Sequence, residues 1–272
     1  MGKPRTIASK DLKNFLDSRK RETRLLGAIE RHILSQPFED RDQSYIHPSD
    51  IVKSEWCALA QYHALIGEFV ETKDKPTLRL RRIFDTGHDA HHRWQSYLND
   101  MGVLKGTWTD GRYDEITLVS DMHMMRGHTD GWVTGLGEDF LIEIKTIGEG
   151  TIRSEAPAIL MQSDNRLADA WKNIKTPFKS HMLQGQVYLH LCHLMVKEGL
   201  LESAPNEIVF IYDLKATQEY KEFVVEYNPE FTKEIFDKAL DVVWAVKHER
   251  PPLCSNDIEN GCKRCAPFRK ES

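Results

Sequence analysis

Two carboxylates and a lysine lie close together in the middle of the chain, in a pattern that suits metal-dependent hydrolysis. Glu143 and Lys145 interrupt an otherwise apolar run over residues 140–147, and Asp130 precedes them across a short connection. Hard divalent cations take carboxylate and carbonyl oxygens as ligands, and a metal-bound water loses its proton more readily than free water. A lysine beside such a site orients the water or stabilises negative charge on a phosphate. The three residues therefore predict a site for a divalent cation with an activated water.

The apolar run around these charges predicts a strand that is covered on both faces. Side chains alternate across a strand, so Glu143 and Lys145 point to the same side. Burying either charge alone is costly, so the two must meet each other, a metal or water. Asp130-Gly131 is also an ordinary hairpin-turn dipeptide, and Glu-x-Lys occurs in many solvated strands. This stretch alone therefore leaves a purely structural interpretation open.

A predicted helix over residues 78–101 carries three histidines within five positions. Gly87 lies one turn before His91, so close helix packing at the glycine would bring His91 toward the sheet. His88 and His92 have i, i+4 spacing with an aspartate between them, similar to the zinc-protease helix signature. A zinc hydrolase that uses His88 and His92 is therefore an alternative function.

A second predicted helix, beginning at Ser180, places two polar residues on one face. Gln184 and Tyr188 are one turn apart, and both donate hydrogen bonds without bringing charge, which suits a phosphate or a base. An ordinary amphipathic helix explains the same spacing. The pattern also predicts a helix at residues 49–66, strands at 115–119 and 124–133, a partly helical insertion at 148–179, a strand hairpin at 208–227 and a closing helix at 231–246.

The first 36 residues predict a helix with one apolar stripe and one basic face. A solvated helix face explains this composition as well as an arm that follows phosphates does. We divide the chain into a basic helical arm, residues 1–44, and one larger domain, residues 45–272. The insertion over residues 148–179 adds further lysines and arginines beside the predicted site.

The composition limits the classes of function. With 272 residues and a net charge of -5, the chain can bury a large core and lacks the basic excess of a non-specific nucleic-acid binder. Any contact with nucleic acid must therefore be local. The sequence contains neither a run of apolar residues long enough to span a membrane nor a visible signal peptide, which predicts a cytoplasmic protein.

The five cysteines predict a metal site rather than disulfides in such a reducing compartment. Cys262 and Cys265 form a Cys-x-x-Cys pair with Cys254 nearby, which is typical of metal binding. Three thiolates leave one ligand missing, and Cys57 is the natural fourth. Cys192 has no ligand spacing and is predicted to lie in the core. Zinc also accepts four thiolates, so the ligand count leaves the metal open.

Four short motifs resemble those of the RecB-like branch of the PD-(D/E)XK nucleases, in particular the iron–sulfur members such as CRISPR-associated exonucleases and their phage relatives. The motifs are, in chain order, Gly87-x-x-x-His91, Gly127-x-x-Asp130, Glu143-Ile144-Lys145 and Gln184-x-x-x-Tyr188. One cysteine precedes them and three follow. The ordered set with its cysteine frame carries the resemblance over about residues 45–267.

The resemblance implies an α/β fold of the restriction-endonuclease type, with a central mixed sheet flanked by helices, an N-terminal helical arm and a C-terminal cysteine cluster. It implies a metal-dependent DNA nuclease, a single-stranded DNA exonuclease that acts in recombination, repair or replication. The expected partners are single-stranded DNA or DNA ends and a replication or recombination protein. The expected location is the cytoplasm of a bacterium, or of the host for a phage protein.

The same resemblance assigns roles to residues. Asp130, Glu143 and the Ile144 carbonyl would bind Mg²⁺ or Mn²⁺ with His91 as a further ligand, and Lys145 would position the attacking water. Gln184 and Tyr188 would steady the nucleic-acid strand or the lysine. A [4Fe–4S] cluster, with Zn²⁺ as the alternative, would be held by Cys57, Cys254, Cys262 and Cys265. The contrasting function is a non-catalytic DNA- or partner-binding module with the same fold, which the three charges Asp130, Glu143 and Lys145 argue against.

Overall fold

The computed structural model describes residues 25–38, 41–68, 76–256 and 262–268. The chain separates into two compact units, residues 1–40 with 73–84 and residues 41–72 with 85–272. Most of the predicted N-terminal helix and its basic face lie outside the described residues. Every predicted site residue belongs to the second unit. We find no helix in the described part with the length and apolar character needed to cross a membrane.

The described part of the first unit contains helix α1 (Leu26–Ser35) and the segment of residues 76–84, which contacts the C-terminal end of α1 through Arg81. Arg81 donates hydrogen bonds to the carbonyls of Ile33 and Gln36, at 2.7 and 2.8 Å. Both carbonyls lie at the C-terminal end of α1, where a cation satisfies and stabilises the helix terminus. The Phe38 and Phe84 rings stack with centroids 6.3 Å apart.

The second unit is a mixed α/β structure. Its strands are β1 (Thr107–Thr109), β2 (Arg112–Asp114), β3 (Ile116–Ser120), β4 (Met125–Thr129), β5 (Gly131–Val133), β6 (Phe140–Ile147), β7 (Glu207–Leu214) and β8 (Tyr220–Glu226). Its helices are α2 (Pro48–Ile51), α3 (Ala58–Leu65), most of α4 (Leu78–Asp100), α5 (Glu149–Glu155), α6 (Pro157–Gln162), α7 (Leu167–Asn173), α8 (Lys179–Lys197) and α9 (Glu230–Lys247).

The central sheet has the strand order β5-β6-β7-β8. Strand β6 runs parallel to β7, and the two outer pairs are antiparallel. A parallel pair needs a long crossover connection, and here helices α5 to α8 supply it. The hairpins β1–β2 and β3–β4 form separate two-stranded sheets. The mixed sheet flanked by helices that the resemblance implies is therefore present.

Strand β6 is covered on both faces, as its apolar run predicts. Leu141 and Ile147 belong to the large core that includes α8. Ile142 and Ile144 belong to a smaller cluster, against which Trp94 of α4 packs. The two charged residues of β6 alternate with these isoleucines and therefore face α8.

Two predicted elements are each divided in the structure. The helix expected over residues 49–66 is the pair α2 and α3, and Cys57 lies at the N-cap of α3 with extended backbone angles. The strand expected over residues 124–133 is β4 followed by β5, which enter different sheets. Both breaks fall at a predicted ligand, Cys57 and Asp130. In each case long-range contacts, described below, hold the backbone out of the regular conformation.

Candidate active site

Asp130 lies where the chain leaves β4 and enters β5. Its buried Oδ2 accepts a hydrogen bond from the Ile144 amide at 2.6 Å. The Thr129 hydroxyl donates to the Ile142 carbonyl at 3.2 Å, and the Gln95 amide donates to the Asp130 carbonyl at 2.9 Å. These contacts to β6 and α4 fix the carboxylate beside the middle of β6.

Glu143 and Lys145 meet on the face of β6 that α8 covers, and two polar residues of α8 join them. The Lys145 Nζ lies 2.6 Å from Glu143 Oε1 and donates to Gln184 Oε1 at 3.1 Å. Gln184 Nε2 donates to Glu143 Oε1 at 2.9 Å and to the Tyr188 hydroxyl at 2.8 Å. Four of the predicted site residues therefore form one hydrogen-bonded network.

Two glycines allow α8 to approach the strands closely enough for this network. A Cβ on Gly127 would lie 2.6 Å from Cε1 of Tyr188, and a Cβ on Gly185 would lie 2.6 Å from Cζ of Phe210. Such distances are far inside ordinary van der Waals contact. The glycine of the Gly127-x-x-Asp130 motif thus makes room for the tyrosine of the Gln184-x-x-x-Tyr188 motif.

His91 approaches the carboxylates from helix α4. Its Nδ1 lies 3.4 Å from Asp130 Oδ1. Burial and, to a smaller extent, the positive charge of Lys145 lower the pKa of His91 to about 4. A hydrogen bond with the Ile144 carbonyl acts in the opposite direction but is outweighed. The ring is therefore neutral at neutral pH, which is the form that binds metals. The nearest neighbour to a Cβ on Gly87 would be 4.0 Å away, so close packing at that glycine is not what positions the histidine.

The site carries more negative than positive charge. Burial, with further repulsion from Glu143 and Glu115, raises the pKa of Asp130 well above its ordinary value. Burial alone would lower the pKa of Lys145, but the carboxylates of Glu143 and Asp130 outweigh it and raise that pKa. Among these groups, three carboxylates therefore share one ammonium group, an imbalance that favours the binding of a cation.

Glu115 belongs to this site although no sequence motif includes it. One ligand atom from each of His91, Glu115 and Asp130 lies within 4.8 Å of the other two. Burial and the charge of Glu143 raise the pKa of Glu115, although part of its side chain stays open to solvent. Strand register places it there and no local spacing predicts this, because Ile116 pairs with Thr129 and the residue before Ile116 therefore lies opposite Asp130.

A cleft of about 480 Å³ opens onto this group between α4 and the β1–β2 hairpin. His88, His92 and Arg112 line it together with His91 and Glu115. The described residues offer no ion-pair or hydrogen-bond partner to the Arg112 guanidinium. In the described part of the chain, His88 and His92 do not converge with a third metal ligand, so the zinc-hydrolase alternative lacks a completed site.

The residues present fit a divalent cation. The buried Oε2 of Glu143 has no hydrogen-bond partner among the described residues, and an unsatisfied buried carboxylate oxygen is costly. Carboxylate oxygens and a backbone carbonyl are ligands that Mg²⁺ and Mn²⁺ accept, and Mn²⁺ also accepts a neutral imidazole. The network has the donors, and the excess negative charge, that such an ion requires.

The four predicted cysteine ligands also come together. One Sγ from each of Cys57, Cys254, Cys262 and Cys265 lies within 4.8 Å of the other three. The Cys57–Cys254 and Cys262–Cys265 sulfur atoms are each 3.7 Å apart. Cys192, by contrast, is buried in the large core as predicted. Two segments far apart in sequence thus share one four-thiolate cluster.

Ser255 holds this cluster together through the backbone, a role the sequence did not suggest. Its hydroxyl accepts a hydrogen bond from the Ala58 amide at 3.1 Å and donates to the Trp56 carbonyl at 3.0 Å. The Ala58 amide is the first of α3 and has no partner within its helix. A residue nearly two hundred positions away therefore caps α3 and places Cys57 beside Cys254.

Four cysteines are the ligand set of either candidate metal group, but the spacing of their sulfur atoms matches zinc better. Burial raises the pKa of Cys57 to about 12, whereas hydrogen bonds from Cys265 and Asn256 outweigh burial and lower that of Cys262 to about 6. A zinc ion with bonds of about 2.3 Å to sulfur implies tetrahedral edges of about 3.8 Å, close to the two 3.7 Å separations. A [4Fe–4S] cluster brings its own sulfide core between the thiolates, which must then stand farther apart.

Comparison with known proteins finds structural likeness only. No protein-family model matches the sequence, and no curated protein matches it. The crystal structure of SSO0001 is 16% identical over 86% of each chain, with a TM-score of 0.38. The alkaline exonuclease LHK-Exo from Laribacter hongkongensis is 13% identical over 76% of this chain and 90% of its own, with a TM-score of 0.46. The structure of LHK-Exo in complex with dAMP has a TM-score of 0.43, with the same identity and coverage.

Proposed function

We propose that the chain is a metal-dependent DNA nuclease, most specifically an exonuclease on single-stranded DNA that acts in recombination, repair or replication. One observation carries the proposal: Asp130, Glu143 and Lys145 converge with His91, and a buried Glu143 oxygen has no partner among the described residues. A merely structural ion pair would satisfy both carboxylate oxygens. The order of the four motifs in the sequence supports the choice of DNA as substrate.

Each side chain has a distinct task in this proposal. Asp130, Glu143 and the Ile144 carbonyl would hold Mg²⁺ or Mn²⁺, with His91 beside them; the bound ion would lower the pKa of a water and polarise a phosphoryl oxygen. Lys145 would orient the attacking water and stabilise charge on the phosphate. The Gln184–Tyr188 pair holds the lysine at 3.1 Å from Gln184, which keeps its rotamer fixed.

We propose that the four cysteines hold a [4Fe–4S] cluster, an assignment supported by the resemblance of the cysteine frame. Zinc is the second candidate, and the 3.7 Å sulfur separations favour it. Protein purified without oxygen distinguishes the two. Visible absorbance with iron and acid-labile sulfide in equal amounts supports the cluster, whereas colourless protein containing zinc contradicts it.

The first test of the function is hydrolysis itself. We expect purified protein with Mn²⁺ to shorten end-labelled single-stranded DNA, and excess chelator to abolish the reaction, because the carboxylates act through the ion. Full activity in chelator would contradict the proposal. DNA binding without hydrolysis under any divalent metal would favour the non-catalytic alternative.

Several basic residues of the insertion form ion pairs with acidic neighbours, so fewer of them are available to bind phosphates than the sequence suggests. Arg153 pairs with Glu149, and both Arg166 and Lys172 pair with Asp169. Lys172 and Lys175 nevertheless line a cavity of about 520 Å³ with the exposed ring of Tyr220. Lysines beside an exposed aromatic ring suit a single strand, because phosphates meet the charges while a base stacks.

We expect the double variant Lys172→Gln, Lys175→Gln to bind single-stranded DNA with a weaker salt dependence. Each phosphate contact contributes about 0.7 to the slope of log affinity against log salt, so the pair would reduce it by about 1.4. The measurement is fluorescence anisotropy across a salt series. The double variant Lys197→Gln, Lys233→Gln, with the same change in charge, serves as the control. An equal loss of slope in both variants would contradict a local contact.

A further inference from the structure

A histidine that belongs to none of the four motifs lies on the same stripe of α8 as Gln184 and Tyr188. His181 comes one turn before Gln184, and residues at this spacing share a helix face. On the neighbouring strand, Tyr212 of β7 pairs in register with Lys145 of β6, so both side chains point to the face that α8 covers. The Tyr212 hydroxyl meets His181 Nδ1 there at 2.5 Å.

This contact fixes which nitrogen of His181 carries the proton. Tyr212 is completely buried and its hydroxyl accepts the Phe178 amide at 2.8 Å, so its own proton needs an acceptor. Among the described residues, His181 Nδ1 is the acceptor within reach. Burial and, to a smaller extent, the charge of Lys145 lower the pKa of His181 to about 3. The ring is therefore neutral, with its proton on Nε2.

The fold leaves the Nε2–H of His181 unused. The described residues offer it no hydrogen-bond partner, and it is not one of the enclosed polar atoms, so it reaches solvent. The carboxylate of Glu155, whose charge also acts on Tyr212, instead accepts the Ser180 hydroxyl at 2.6 Å. Because the charge of Lys145 acts on the His181 ring, this free donor lies on the same side of the sheet as the lysine.

We propose that His181 is a further catalytic residue, whose Nε2–H donates a hydrogen bond to a non-bridging oxygen of the phosphodiester that is cleaved. This inference rests on the proposed function. A donor held in place by a buried hydroxyl stabilises the charge that develops on the phosphate in the transition state, and a neutral imidazole can serve as such a donor. Because the ring is uncharged, it does not repel the divalent cation or Lys145.

The variant His181→Phe keeps a ring and removes the donor. We expect it to cleave single-stranded DNA about 100-fold more slowly in single turnover with saturating Mn²⁺, the usual effect of losing one transition-state donor. A phosphorothioate at the cleaved position gives the specific readout. Sulfur accepts hydrogen bonds weakly, so for one of the two diastereomers the slowing caused by sulfur should be smaller in His181→Phe than in the wild type.

His190 provides the matched control because it makes the same contact elsewhere on α8. Its Nδ1 lies 2.6 Å from the Tyr227 hydroxyl, and burial is the main cause that lowers its pKa to about 4. The ring packs against Phe236 of α9. His190→Phe should therefore lose a similar histidine–tyrosine contact, with a similar fall in melting temperature, and cleave DNA at the wild-type rate.

Three results with the variants would overturn the inference. These are a wild-type rate in His181→Phe, an equal loss of rate in His190→Phe, or an unchanged effect of sulfur in His181→Phe for both diastereomers. Nitrogen NMR of the wild type tests the same point without a variant, because we expect the proton on Nε2 and a proton on Nδ1 would remove the donor. A wild type that cleaves no DNA would contradict the proposed function itself, whereas an active wild type with a fully active His181→Phe contradicts this inference alone.

Discussion

Replacing Lys145 by alanine will lower the rate of DNA hydrolysis about 100-fold or more, the usual effect of removing a charge that acts in the transition state. The ammonium group lies 2.6 Å from Glu143 and donates a hydrogen bond to Gln184. None of the other predicted site residues carries a positive charge that could replace it. The measurement is single-turnover cleavage of end-labelled DNA at saturating Mn²⁺. The variant should remain folded and keep the metal of the cysteine site, with a lower melting temperature because Glu143 loses its buried partner.

A lysine that also pairs with a carboxylate, but far from the site, provides the matched control. Lys238 pairs with Glu234 on the exposed side of α9 at 2.7 Å, and exposed pairs of this kind contribute little. Lys238→Ala should therefore cleave DNA at the wild-type rate. A fully active Lys145→Ala protein would exclude the lysine from the chemical step. An unfolded one would instead show that its pairing with Glu143 maintains the core.

The Cys57→Ala variant will be impaired in a different way. It will lose the metal of the cysteine site, and its activity will fall as a consequence. The cysteine site joins residue 57 to residue 265, and metal binding at such a site contributes directly to folding. Losing a cross-link of this span typically costs about 2–5 kcal/mol, which for a domain of this size lowers the melting temperature by about 10 °C. Metal analysis and a thermal melt measure both effects.

Cys192→Ala separates the ligand role from the simple loss of a buried thiol. Cys192 is fully buried in the large core and lies outside the four-thiolate cluster. The variant should lose some stability through its cavity and keep its full metal content. Wild-type metal content and melting temperature in Cys57→Ala would contradict the cysteine assignment, as would loss of metal in Cys192→Ala.

Much of the fold follows from periodicity and spacing. The apolar run from 140 to 147 predicted a strand buried on both faces, and β6 is such a strand. The i, i+4 spacing placed Gln184 and Tyr188 on one face of a helix, where they now share a hydrogen bond. Local rules work here because burial on a strand or a helix face depends on residues only a few positions apart.

The breaks in regular structure were not predictable in this way. Residues 49–66 have a helical pattern, yet the chain leaves the helix before Cys57 because contacts from Ser255 hold the start of α3. The strand expected over 124–133 divides at Asp130 because its carboxylate accepts the Ile144 amide of another strand. Local propensity cannot anticipate either break, since the competing contacts come from distant parts of the chain.

The sequence by itself determined the types of the reacting groups, their order and the strand that carries Glu143 and Lys145, because these depend on composition and on a period of two. Only the tertiary structure decided that Glu115 joins His91 and Asp130, that one oxygen of Glu143 lacks a partner among the described residues and that Ser255 caps α3. Each of these depends on strand register or on packing between segments far apart in the chain. Such pairings form because the whole core buries together, and no local spacing encodes them.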